Sequence, residues 1–240
     1  MPAILPIVAA ISAACPLVAQ AAALRVEPVL VEVFAPGAAA TLTLHNGDAS
    51  DVNIQIRVFR WSQANGKETL EPTADVAVSP PAAKLAPEAE QVVRIVRVGK
   101  QPLQAEESYR IFVDQLPRNE GRSTGTVNLL VRQSIPVFFG PSPAREPSLA
   151  WSLAHDGGKL VLSARNTGTR RARISSLTLT AAGKTVSFGN GLVGYALADS
   201  TMSWVVPGQA RGFDAGGPVV VDAQSDRGPI HAAVPAPARR

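Results

Sequence analysis

Residues 126–141 read Thr-Val-Asn-Leu-Leu-Val-Arg-Gln-Ser-Ile-Pro-Val-Phe-Phe-Gly-Pro, one unbroken strand-like alternation near the middle of a 240-residue chain. The odd positions are Val127, Leu129, Val131, Gln133, Ile135, Val137 and Phe139. Successive side chains of a strand point to opposite faces, so all but Gln133 would build one apolar ridge. The run is more than twice the usual strand length of about 5–6 residues. A ridge of that length must be covered by its own domain or by something that arrives later.

The rest of the chain reads as β structure. No stretch sustains a 3.6-residue apolar period. Short runs of Val, Ile, Leu and Thr alternate instead with Gly, Pro, Asn and Asp, the pattern of an all-β sandwich. Strands are expected at 25–34, 39–46, 52–60, 90–98, 107–115, 126–139, 149–154, 159–165, 172–181, 184–188, 202–206, 210–213, 218–223 and 228–234. Turn signals between them include Asn65-Gly66, Pro80-Pro81 and Asp156-Gly-Gly. Residues 188–194 read as a Gly-rich turn. Gly140-Pro-Ser-Pro-Ala-Arg-Glu-Pro147 holds three prolines in eight residues, which cannot continue a ladder. It divides the chain into domains at 24–140 and 148–234, with 141–147 as linker and 235–240 as a loose tail. No internal repeat is read.

The first 24 residues carry no charge, and Ile4 to Val18 forms an apolar segment. Ala19-Gln-Ala21 and Ala21-Ala-Ala23 both have the small-x-small pattern of a leader-peptidase site, so residues 1–23 read as a signal peptide that lacks a basic start. Cys15 is the only cysteine and lies inside it. The exported chain would then have no disulfide, thiolate metal site or cysteine nucleophile. His45, His155 and His231 are isolated and lack metal-ligand spacing. No nucleophile elbow, phosphate-cradling loop or dinucleotide fingerprint occurs, so an enzyme is not expected and neither is a cofactor. The net charge of +4 is modest. Its densest cluster, Arg170-Arg171-Ala-Arg173, reads as a solvated hairpin rather than a nucleic-acid footprint.

Several segments resemble a known family in order and spacing. Ser79-Pro80-Pro81, Gln91-Val-Val-Arg94, Glu107-Ser-Tyr-Arg-Ile-Phe-Val-Asp-Gln-Leu-Pro117 and Ile135-Pro-Val-Phe-Phe-Gly-Pro141 are similar to motifs of the periplasmic pilus chaperones of the chaperone–usher pathway. Val52 to Trp61, Arg132-Gln-Ser-Ile-Pro136 and Gly194 to Ser200 resemble the archaic branch, which serves spore-coat-U-type pilins. The resemblance implies two immunoglobulin-like β-sandwich domains in an L-shaped molecule with an interdomain cleft. It implies a periplasmic chaperone that caps pilus subunits by donor-strand complementation and delivers them to an outer-membrane usher, without nucleic acid or small-molecule substrate. A self-capping oligomer is a further expected state. Val127, Leu129 and Val131 would plug the subunit's groove. Arg94, Glu107 and Asp226 match positions that pair between the domains. Better-known branches have a Lys where this chain has Pro136, and that Lys and a first-strand Arg hold the subunit's terminal carboxylate. Arg25 and Arg132 are the candidates left for that role. A pilus structural subunit, or another secreted β-sandwich binding protein, is the alternative reading.

Overall fold

A computed structural model describes residues 24–117, 130–208 and 218–235, and every regular element among them is a β-strand. The first half runs β1 (Leu24–Glu27), β2 (Val31–Phe34), β3 (Ala39–Asn46), β4 (Val52–Ala64), β5 (Lys67–Pro72), β6 (Val76–Ser79), β7 (Ala82–Leu85), β8 (Glu90–Arg97), β9 (Glu107–Gln115) and β10 (Arg132–Gly140). The second half runs β11 (Leu149–Asp156), β12 (Lys159–Asn166), β13 (Ala172–Ala181), β14 (Lys184–Ser187), β15 (Leu192–Ala196), β16 (Thr201–Val205), β17 (Val219–Ser225) and β18 (Gly228–Val234).

Each half is a pair of sheets closed over its own core. In the first, β1-β3-β8-β6 faces β2-β10-β9-β4-β5, with β7 added to β4. Alternate residues turn inward, so Leu42, Leu44, Val93, Ile95, Ile111, Val113, Val137 and Phe139 are buried together. In the second, β11-β12-β16 faces β14-β13-β17-β18, with β15 on β13. There Leu162, Ile174, Leu177, Leu179, Val219 and Val221 form the core. A third, small cluster joins the halves: Trp61, Phe138, Tyr195 and Leu197, with Leu30 against it.

The expected strand at 25–34 is two strands in different sheets. β1 pairs antiparallel with β3, whereas β2 pairs parallel with β10. Pro28 lies at the switch, where it cannot donate to a ladder, and Val29 beside it is exposed. The strands at 107–115 and 172–181 fall where the periodicity places them. β5 was not foreseen, because Lys-Glu-Thr-Leu-Glu-Pro is exposed throughout and carries no apolar alternation. β15 lies inside and beyond the stretch read as a Gly-rich turn. The expected strand at 210–213 lies outside the described residues.

Both sandwiches lock a loop with a buried Asn at the end of a central strand. Asn46 closes β3 by donating to the carbonyls of Ser50, Leu85 and Ala86. Asn166 closes β12 by donating to those of Arg170, Ala196 and Leu197. Each side-chain oxygen also accepts a backbone N–H two residues on, from Asp48 and Gly168 respectively. Such local capping satisfies backbone groups that a loop would otherwise leave unpaired.

Candidate functional site: an open strand edge at the domain junction

β10 lies antiparallel to β9, with Arg132 opposite Asp114 and Phe139 opposite Glu107. Gln115 N–H donates to Val131 O at 3.0 Å, so the odd residues of this strand exchange main-chain bonds with β9. The even residues therefore aim their N–H and C=O groups the other way. β2 takes them only over residues 137–140, where Ala35 N–H donates to Gly140 O at 2.9 Å. Over Arg132 to Pro136 no strand lies on that side among the described residues. The edge thus offers the N–H and C=O of Arg132 and Ser134 and the C=O of Pro136. Proline is tolerated here because its missing N–H would face the open side rather than β9.

The side chains divide by face. Ile135, Val137 and Phe139 are buried in the first core. Gln133 and Val131 continue the same face and are half-buried, and Gln133 Nε2 donates to Leu24 O at 2.6 Å. Val127 and Leu129, the other expected plug residues, lie outside the described residues. On the outer face Arg132 and Ser134 are exposed, while Pro136 and Phe138 are buried.

Three groups of charges surround this edge. Arg132 and Arg57 both pair with Asp114, the latter at 2.6 Å, and their guanidiniums lie 4.9 Å and 5.6 Å from the rings of Phe112 and Phe59. Burial alone would raise the Asp114 pKa, but the hydrogen bonds from Arg132 and Arg57 hold it below the usual carboxylate range. Next along, Arg110 is opposite Pro136 in the register. Its guanidinium lies 3.8 Å from the Trp61 ring and 5.9 Å from Tyr195, and it makes no ion pair among the described residues. Burial lowers its pKa, which is the cost of holding a cation away from water, and Glu68 only partly offsets that. The Trp61 Nε1–H is also buried without an acceptor among the described residues.

The third group pins the halves together. Arg171 is 3% exposed. It donates to Glu106 Oε2 at 2.7 Å and to Glu32 Oε1 at 2.6 Å, and its guanidinium lies 3.6 Å from the Phe138 ring. Burial pushes the Glu106 carboxyl above its ordinary range despite this pairing. Nearby, Gln63 Nε2 donates to Tyr195 O at 2.8 Å, and its Oε1 accepts from Leu197 N at 2.9 Å. The β4–β5 hairpin ends in Asn65-Gly66, both with positive φ, and Gly66 O accepts from Ser203 N at 3.1 Å.

The ion pairs between the halves are therefore not those expected. Glu107 pairs with Arg97 at 2.8 Å and accepts from Tyr109 OH at 2.9 Å. Arg94 is exposed on the outer face of β8, where the register sets it beside Thr41 and Ser79, and Asp226 is exposed in the β17–β18 turn. Period 2 accounts for the difference, since Arg94 and Arg97 lie on opposite faces of β8. Glu106 and Glu107 diverge, one toward Arg171 and the other toward Arg97. Arg171 itself overturns the reading of 170–173 as a solvated hairpin. Nothing in its local sequence distinguishes it from Arg170. Arg25 is exposed on β1 opposite His45.

Residues 23–144 match the family model of the pili and flagellar-assembly chaperone, PapD N-terminal domain. No curated protein sequence matches the chain significantly. Among solved structures, it is similar to a chain in the CsuC–CsuE chaperone–tip adhesion subunit pre-assembly complex of the archaic Csu pili of Acinetobacter baumannii, with a TM-score of 0.70, 24% identity and coverage of 91% of this chain and 100% of that one. The Escherichia coli chaperone DraB gives 0.60 at 22% identity, covering 88% and 96%. A chain in the Salmonella enterica SafA pilin–SafB chaperone complex gives 0.61 at 21%, covering 89% and 97%. At these identities the structural likeness speaks to fold.

Proposed function

The chain belongs to the pili and flagellar-assembly chaperone family, and on that premise we propose that it caps pilus subunits with the open edge of β10. The observation that carries this reading is the unpaired Arg132–Pro136 edge, continuous with a half-buried Val131 and with the alternation of Val127 and Leu129 before it. A subunit that lacks one strand of its sandwich exposes a groove and an unpaired edge, which is an aggregation hazard. Strand addition answers both needs, main-chain bonds for the edge and alternate side chains for the groove. Each apolar plug so buried contributes about 1.5–3 kcal/mol. We assign the plugs to Val127, Leu129 and Val131.

The subunits so served are of the spore-coat-U type, the receiving partner is an outer-membrane usher, and the compartment is the periplasm, reached through the leader at 1–23. A second copy of the chain can cover the same edge when no subunit is bound. The cation at the closed end of the edge is Arg110, because it faces Pro136 across the β9–β10 ladder and makes no ion pair among the described residues. Arg132 and Arg25 are further cations for acidic groups of the subunit, with Arg132 already shared with Asp114.

Co-expression with a pilus subunit from the same bacterium tests this. A soluble one-to-one complex is expected, and Val127→Asp, Leu129→Asp and Val131→Asp should each abolish it. If all three variants still yield the complex, the edge does not carry the subunit. Arg110→Ala should weaken the complex more than Arg132→Ala or Arg25→Ala.

A further inference from the structure

The open edge has a definite end, and one side chain of the second sandwich stands at it. β2 is only four residues long and pairs with β10 over 137–140. In that pairing Glu32 is opposite Phe138, so both side chains lie on the outer face, next to each other. The Arg171 guanidinium contacts both. One Nη donates to Glu32 and the guanidinium carbon lies over the Phe138 ring, while the other Nη donates to Glu106. Arg170 adds a weaker contact to Glu32 at 3.6 Å. Arg171 is therefore a clip across two adjacent strands, fixed from behind by a buried carboxylate.

As a short edge strand, β2 is held by Val31 and Val33 in the first core, by its four-residue ladder and by the Glu32 clip on its outer face. β2 makes few ladder bonds, and Phe34 at its end is 39% exposed. If β2 lifted, the even residues 138 and 140 would join 132–136 in presenting free main-chain groups. An incoming strand could then pair farther along β10. Because the side-chain period is 2, it would slip by two residues and every plug would move to the next pocket.

We infer that Arg171, acting through Glu32, is a positioning residue that sets the register of the bound subunit strand by closing the edge at Pro136. This rests on the proposed use of that edge. It gives the second sandwich a role in recognition without any contact to the subunit's groove.

Glu32 is the residue to change, since its side chain is one-third exposed whereas Arg171 and Glu106 are buried. In a Cys15→Ser background, Ser134→Cys on the open edge provides a single thiol. Disulfide trapping against cysteines stepped along the terminal edge strand of the co-expressed pilus subunit then reads the register directly. With Glu32 intact, one subunit position should be trapped. In Glu32→Ala a second position, two residues away, should appear, with Glu32→Gln intermediate. Hydrogen exchange of the free chain should quicken about tenfold at the Ala35 amide, which donates to Gly140, and stay unchanged at the Gln115 amide. A single unchanged trapped position in Glu32→Ala overturns the inference, whatever the exchange rates do. Failure to trap any position with Glu32 intact would instead count against the edge itself.

Discussion

Asp114 holds two guanidiniums on the outer face of the first sandwich, and its buried carboxylate is the part that matters for stability. Its folded pKa is depressed, so its contribution is fully present above the ordinary carboxylate value of about 4 and is lost as pH falls through the lower folded value. Asp114→Asn should therefore lower stability by about 1–2 kcal/mol at pH 7, discounted because Arg57 and Arg132 are each roughly half exposed. The deficit should close toward pH 3, as urea midpoints at the two pH values would measure. Glu106 has the opposite sign. Its pKa is raised, so ionisation opposes folding at neutral pH, and the Arg171 pair and the Arg170 charge offset that only in part. Single residues were the hardest scale to read from sequence. Arg110 and Arg171 look like any other arginines in a string, and what separates them is which strand lies opposite, a fact with no local signal.

At the scale of elements, β10 has two parts that the alternation runs together. Ile135, Val137 and Phe139 fill the core of their own sandwich, whereas Val131 lies beyond the last residue that β2 covers. Ile135→Ala should cost about 2–5 kcal/mol in the urea unfolding of the free chain, through lost burial and the cavity left behind. Val131→Ala should cost less than about 1 kcal/mol there, since the side chain is only half-buried. Subunit capture should rank the two in the reverse order, and equal effects in both assays would deny the division. Strands were the most legible level wherever one face is buried, because burial imposes period 2 on the sequence. β9 and β13 have the expected bounds for that reason. β5 escaped notice because it is exposed on both faces, and the split of the first strand was hidden because Pro28 marks a change of sheet rather than a turn.

For the whole molecule, the junction combines a small apolar cluster with side-chain hydrogen bonds and the Arg171 ion pairs. Gln63 serves a carbonyl and an N–H of the second sandwich with one side-chain amide, among Trp61, Phe138, Tyr195 and Leu197. Gln63→Ala would leave both backbone groups buried and unpaired, a loss of about 1–3 kcal/mol. The expected result is a calorimetric trace that separates into two transitions where the parent gives one. Gly66→Ala should act in the same direction, because a Cβ there would come 2.2 Å from Ser203 Oγ at a φ of +75°. A single unbroken transition in both variants would show that the halves are coupled by other contacts. The all-β sandwich plan was legible in the spacing of turns between short apolar runs. The junction was not, since its partners are more than sixty residues apart.

That separation bears on the order of events during folding. The Asn46 and Asn166 locks close loops of about thirty to forty residues, within one sandwich each. The Arg171–Glu32 bond joins positions 139 residues apart. Long loops close at greater entropic cost and later, so the Asn locks form before the Arg171–Glu32 bond joins the halves. If the Arg171 clip is what holds β2 down, the first sandwich is left with β2 unclipped and a longer β10 edge until the last third of the chain has been made.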